Sequence, residues 1–367
     1  MLFSSISFII LFLPVTLLLY YCCPSFRVKN AILLFASLLF YAWGEPKFVL
    51  VMLFSIVMNY GMGILIANIP KGKKAKKKSA IPDTGKKRYL IIGIILNLLV
   101  LFYFKYLGFS GQIVNSLIKV FHIANFQFSV LKVVLPLGIS FYTFQSLSYL
   151  MDVYRKPSLV QKDILNLGLF ISLFPQLIAG PIVRYHDINE QIGDRKHSLD
   201  LFARGFERFI VGLAKKVLIA NTLAEIIDGI LIQPFSSVPS SYLLLAIVSG
   251  VLQIYYDFSG YSDMAIGLGR MFGFKIMENF DYPLISRTPS EFWRRWHISL
   301  STWFRDYLYI PLGGNRKGPI RQIINTLIVF TLVGLWHGAE FNFIFFGFAC
   351  GMFLIIEDPF KKKINSQ

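Results

Sequence analysis

The sequence has little charge and even less acid. Of its 367 residues only 16% are charged, with 20 Asp+Glu against 37 Lys+Arg. Soluble domains carry about 25% charged residues, so an ordinary water-facing surface is excluded. Cysteine is scarce: Cys22, Cys23 and Cys350 can build neither a disulfide framework nor a zinc-spaced set. The adjacent pair after the first apolar run leaves S-palmitoylation open. No Gly-rich phosphate loop and no Gly-x-Ser-x-Gly elbow occurs, which argues against P-loop and α/β-hydrolase chemistry. Internal repeats are also missing, and no stretch is polar enough for a separate soluble domain. The chain therefore reads as a single transmembrane domain over residues 1–367.

What is present is apolar: 55% of residues are hydrophobic and 16% aromatic. Apolar runs recur near residues 3–21, 31–43, 48–67, 89–107, 133–151, 165–178, 217–232, 242–254, 323–335 and 341–356. About 18 or more apolar residues mark a spanning helix. Shorter runs are tilted, re-entrant or buried among other helices. The expected fold class is an all-α integral membrane protein. The first run lacks a basic leader and a small-residue cleavage site, so it reads as a retained helix.

The net charge of +17 would suggest nucleic acid in a soluble protein. Here the basic residues cluster in short loops between apolar runs, which points to the positive-inside rule and anionic lipid instead. Lys71 to Lys78 should be cytoplasmic, with the N-terminus outside and Arg155, Lys156 and Lys162 inside. Arg184, Arg195, Lys196, Arg204 and Arg208 should also lie inside. The run 165–178 must then enter and leave on one side, broken by Pro175 and Gly180-Pro181. Irregular backbone at that depth needs protein or a wet cavity around it.

Three constellations could carry chemistry. In Leu335-Trp336-His337-Gly338-Ala339 an imidazole stands between two apolar runs. Ionisable residues at such depth face a bundle interior or a wet cavity, and histidine can take a proton near neutral pH. Gly338 would allow close approach of a substrate or helix. The competing reading is a histidine satisfied by a carbonyl or a helix end. In Glu291 to Ser301, a helix would place Trp293, Trp296 and His297 on one face. Arg294 and Arg295 would then reach lipid headgroups or a donor's phosphate. A bare interfacial anchor is the alternative. In Tyr255 to Asp263, two carboxylates follow an apolar run. Asp257 could pair with Arg294 or Arg295 or orient a histidine, or simply be a structural hydrogen-bond node. His122, His186 and His197 sit in polar contexts and read as bland.

Together these stretches resemble the membrane-bound O-acyltransferase family, in particular its alginate O-acetyltransferase branch. The resemblance is carried by Tyr41-Ala42-Trp43, Pro136 to Tyr142, Gly180 to Arg184, Asp257 to Asp263, Glu291 to Ser301, Asp306 to Arg316, and Trp336-His337-Gly338-Ala339, in that order. A D-alanyl transferase branch acting on teichoic acid looks similar around Glu291 to Ser301. By this resemblance the position of His337 is the catalytic one and His297 the second candidate. Trp336, Trp293, Trp296, Arg294, Arg295 and Asp257 would contact substrate.

The resemblance implies a bundle around a central funnel, with re-entrant and interfacial helices. It implies O-acyl transfer, with acetyl the expected group, from a cytoplasmic thioester such as acetyl-CoA and with no resident cofactor or metal. The acceptor would be a hydroxyl of an exported polysaccharide, reached directly or through a periplasmic or extracellular partner, at a bacterial plasma membrane. Family members continue further beyond the Trp-His-Gly stretch, so the chain is expected to lack their C-terminal helices. A non-catalytic acyl-donor transporter or a scaffold would present similar polar residues. The topology is directly testable. A cysteine placed at position 75 should stay unlabelled by an outside-only thiol reagent in intact cells; labelling there would overturn the assignment.

Overall fold

A computed structural model describes residues 2–67, 83–122, 129–131 and 133–364, so the basic run at 71–78 lies outside the described residues. The described residues are helical, with no strand among them. In chain order the helices are α1 (Phe8–Cys22), α2 (Phe26–Gly44), α3 (Val49–Ala67), α4 (Gly85–Val120), α5 (Ile139–Arg155) and α6 (Ile164–Ser172). They continue with α7 (Phe174–Leu177), α8 (Tyr185–Gly193), α9 (Leu199–Ala214), α10 (Asn221–Leu231) and α11 (Ser240–Met271). The last are α12 (Pro289–Arg295), α13 (Ile298–Phe304), α14 (Pro319–His337) and α15 (Phe341–Ile364). α2, α3, α4, α11 and α14 are long and apolar enough to cross a membrane. The protein is thus an all-α integral membrane protein.

Several helix ends differ from the expectation. The run at 89–107 continues to Val120. α5 begins only at Ile139, because Gly138 takes a left-handed conformation (φ 72°) that glycine adopts at little cost. The run at 242–254 extends to Met271, so Asp257 and Asp263 lie inside a helix rather than after one. Apolarity locates a helix, but side-chain pairing allows it to run on through polar residues.

The chain divides into two compact units, Met1–Leu50 with Asp163–Phe280, and Val51–Lys162 with Asp281–Gln367. In the first, Phe3, Phe8, Phe12, Phe40 and Phe174 form a ring cluster, with Phe3 stacked on Tyr261 at 4.6 Å. The run at 165–178 breaks at Leu173. α6 holds 9 residues, about 13 Å at 1.5 Å per residue, far short of the ~30 Å hydrocarbon core. Protein satisfies the broken backbone: Phe174 N donates to Ser37 Oγ (3.1 Å) and Gln176 Nε2 to Phe170 O (2.8 Å).

Two glycine pairs bring α9 against α11. A Cβ on Gly212 would lie 2.5 Å from Gly260 O, and one on Gly205 would lie 2.7 Å from Gly267 O. Such small-residue crossings let backbones meet directly. They carry α9 and the π turn after it up to two carboxylates of α11. Asp263, nearly buried, accepts from Arg208 Nε (2.8 Å) and Lys215 Nζ (2.6 Å), and Lys216 pairs with Asp257 at 2.5 Å. Asp257 is thus held within its own unit by Lys216. Nearby, buried Arg195 donates to Asn30 Oδ1 (2.7 Å) and lies 4.2 Å over the Phe274 ring. His197 Nε2 meets the Tyr20 hydroxyl at 2.8 Å, which is a packing role.

In the second unit, α3 and α4 exchange amide hydrogen bonds between Asn59 and Asn97 (2.8 and 3.1 Å). α5 is buried along nearly its whole length. It is fixed to the α13 segment by Trp303 Nε1 donating to Phe144 O (3.0 Å) and by Tyr307 Oη donating to Asp152 Oδ1 (2.9 Å). α14 and α15 cross at Gly334 and Gly347, where a Cβ on Gly334 would lie 2.2 Å from Phe343 O.

These crossings admit no side chain. Gly212→Val should lower the thermal midpoint in detergent, with an overpacking cost of about 1–3 kcal/mol or more. Gly250→Val, where nothing lies within 4 Å of a new Cβ, should leave the midpoint unchanged or raised. Equal behaviour of the two variants would show that the crossing tolerates bulk.

Candidate active site

The site is built around the C-terminal end of α14. Helices end with carbonyls that have no partner inside the helix. Here α4 supplies the partners: Tyr106 Oη donates to Leu335 O (3.1 Å) and Lys105 Nζ donates to Trp336 O. Lys105 also donates to Ser140 Oγ (3.3 Å) on α5 and lies 5.7 Å over the Trp336 ring. A cation at a helix C-terminus is favourable to the helix dipole, and three elements are pinned at one point. Lys105 was not among the residues singled out from sequence. Its signal in the sequence is a lysine within the otherwise apolar run 89–107, where ionisable residues are rare.

Trp336 is the hub. Its ring lies 5.6 Å from Phe141, 5.9 Å from Phe144, 5.9 Å from His297 and 4.8 Å from His337. It is nearly buried, and its indole N–H has no acceptor among the described residues. His337 is exposed at the helix end. A Cβ on Gly338 would come 2.1 Å from the Phe343 ring, so the close approach that this glycine permits is taken by α15.

His297 does not sit on a helical face with Trp293 and Trp296. α12 stops at Arg295, Trp296 is extended (φ −98°, ψ 127°) and His297 is left-handed (φ 45°, ψ 52°) before α13 begins. The kink turns His297 inward, where it is 1% exposed with Nδ1 3.5 Å from Ser299 Oγ. Trp296 instead stacks on Phe292 at 5.5 Å, and Trp293 packs on Phe330 at 5.3 Å. Burial, and then the charge of nearby His337, hold the His297 imidazole well below its ordinary pKa, so this ring is neutral at pH 7. The structure thus brings His297, Trp336 and His337 together, while Asp257 pairs with Lys216.

α12 starts with a capped first turn. Thr288 Oγ1 accepts from Glu291 N (3.2 Å), Pro289 takes the first helical position, and Glu291 reaches back to accept from Arg287 N (3.0 Å). That N–H, with Arg295 beside it, holds the Glu291 carboxyl below its ordinary range. Ser290 N and Oγ both donate to Glu357 Oε2 (2.8 and 2.7 Å) on α15.

The two arginines have separate fates. Arg295 Nε donates to Glu291 Oε1 (3.0 Å), and its Nη1 donates to Asp281 O and Oδ2 (3.1 Å each). Arg294 is exposed and has no hydrogen bond or ion pair among the described residues. Arg295→Ala should therefore lower the thermal midpoint, by an amount of order 1 kcal/mol for a partly exposed clamp. Arg294→Ala should not. Identical midpoints would remove the distinction.

Residues 159–365 match the sequence model of the membrane-bound O-acyltransferase family. The chain is 44% identical over 357 residues to the protein named probable alginate O-acetylase in Pseudomonas aeruginosa, covering 97% of this chain and 66% of that one. The protein of the same name in Azotobacter vinelandii is also 44% identical over 357 residues, with 97% and 68% covered. The peptidoglycan O-acetyltransferase of Helicobacter pylori is 35% identical over 396 residues, with 98% and 71% covered. The chain spans about two thirds of the length of these relatives. Across that span, the chain belongs to the membrane-bound O-acyltransferase family.

Proposed function

We propose that this chain carries the centre of an O-acyltransferase that moves an acetyl group from a cytoplasmic thioester, such as acetyl-CoA, toward a hydroxyl of an exported polysaccharide. The single observation behind this reading is the meeting of His297 and His337 across Trp336, although 40 residues (337 − 297) separate them in sequence. Acyl transfer to a hydroxyl needs a base for the hydroxyl proton and a donor for the charge that develops on the thioester carbonyl. His337, exposed at the helix end, acts as the base. His297, neutral and rigidly held, orients the acceptor or hydrogen-bonds to the carbonyl. Trp336 offers its unmatched indole N–H to a substrate oxygen, because a buried donor without an acceptor costs about 1–3 kcal/mol. Lys105 fixes the backbone that presents both Trp336 and His337.

The thioester is a substrate, and no resident cofactor or metal is assigned. Acetyl is favoured over D-alanyl because the chain is 44% identical to a protein named for alginate acetylation and 35% to one named for peptidoglycan acetylation. The acceptor polymer is exported, so an extracytoplasmic partner completes the transfer and the working location is the plasma membrane of a bacterium.

The test uses membranes supplied with acetyl-labelled CoA. Wild-type membranes should label a polymer or a partner protein. His337→Ala that still inserts should lose about 10²–10⁴-fold of the rate, the usual contribution of a placed base, and His297→Ala should lose a comparable factor. Normal labelling by a fully inserted His337→Ala protein would overturn the mechanism and favour a donor transporter.

A further inference from the structure

Beside the histidine pair, and outside the roles given to it, the second unit holds two adjoining cavities. One, of about 520 Å³, lies among α12, α13, α14 and α15. Its wall is mostly apolar, with Trp293, Leu300, Phe304, Val329, Phe330 and Leu354 beside polar Ser301, Gln322 and Thr326. The other, of about 390 Å³, is formed by the loop between α13 and α14 and carries Arg305, Arg316 and Lys317. Arg305 and Tyr309 line both. In that loop Gly313 and Gly314 turn through left-handed backbone (φ 108° and 55°), which glycine adopts cheaply.

The charges are unbalanced. Arg294 at the edge of the apolar chamber, and Arg316 and Lys317 in the loop, have no carboxylate partner among the described residues. Arg305 meets only its neighbour Asp306, at 2.8 Å. A greasy chamber joined to a cationic one is complementary to a molecule with a hydrocarbon chain and an anionic head. Ligand sites of this kind occupy about 300–1,000 Å³, and basic clusters beside spanning helices attract anionic lipid.

We propose that these two cavities form a binding site for one anionic phospholipid, with its phosphate in the Arg305, Arg316 and Lys317 loop and an acyl chain along Trp293 and Phe330. The site does not depend on acyl transfer. It fastens the α13–α14 loop to the crossing of α14 and α15 that ends in His337.

Trp293 supplies the probe. The protein is reconstituted in phosphatidylcholine nanodiscs containing a chain-brominated lipid, which quenches tryptophan on contact. The Trp293 part of the emission is the difference between wild type and Trp293→Phe. Brominated phosphatidylglycerol should quench this part more than brominated phosphatidylcholine does. Arg316→Gln with Lys317→Gln should lower that preference roughly fivefold per residue, the factor matching about 1 kcal/mol for each basic side chain near an anionic surface. Equal quenching by the two lipids, or a preference unchanged in the double variant, would overturn the proposal. So would displacement of the quenching by acetyl-CoA, which would assign the chambers to the thioester. If the double variant does not reconstitute, the unaltered protein decides: quenching that saturates with phosphatidylglycerol supports the site, and quenching linear in lipid content rejects it.

Discussion

In a chain this apolar, a polar atom at membrane depth is costly unless another atom of the protein meets it, because lipid offers no hydrogen bonds. That requirement shapes both units. Ser37 and Gln176 close the backbone opened at Leu173. Asn59 and Asn97 satisfy each other between α3 and α4. Asp263 sits between Arg208 and Lys215. Lys105 answers the last carbonyl before His337. Each pairing also fixes a geometry, since a buried pair has few alternative arrangements in which both members remain satisfied.

The site follows from that rule. Lys105 joins α4, α5 and α14 at the residue that precedes the candidate base. Trp336 then fills the space between Phe141, Phe144 and the two imidazoles. A large flat ring suits this task, since it touches several elements at once and loses little rotamer freedom. The histidines thus need no direct bond to share one place; they share a neighbour whose position is set from three sides.

Much of this was legible in the amino-acid order. The apolar runs located the helices, and Pro175 with Gly180 and Pro181 marked the interrupted one. Trp336 and His337 stood out as polar residues between apolar runs. Other features were hidden for physical reasons. The extension of α11 through Asp257 and Asp263 depends on Lys215, Lys216 and Arg208, some 40 to 55 residues away. Lys105 was masked by its apolar neighbours, since hydrophobic averaging discounts one charge in a long run. The bend at His297 breaks a pattern that reads well as a helix, and only the positive φ in the structure reveals it. The different fates of Arg294 and Arg295 were equally invisible, because adjacent residues on a short helix diverge only once Asp281 and Glu291 are placed.

That bend has an evolutionary side. A residue with a β-carbon held at φ 45° costs roughly 1–2 kcal/mol relative to one in ordinary backbone, and such strain persists only where the surroundings over-determine it. Glycine would relax position 297 and asparagine would tolerate it, so mutation continually offers this chain a more comfortable fold. A histidine that keeps its place against those substitutes would have to be retained by selection on what the imidazole does. Residue 297 is then a point where drift toward stability and the demands of the site oppose each other, and laboratory evolution for thermal robustness alone would be drawn to erase it.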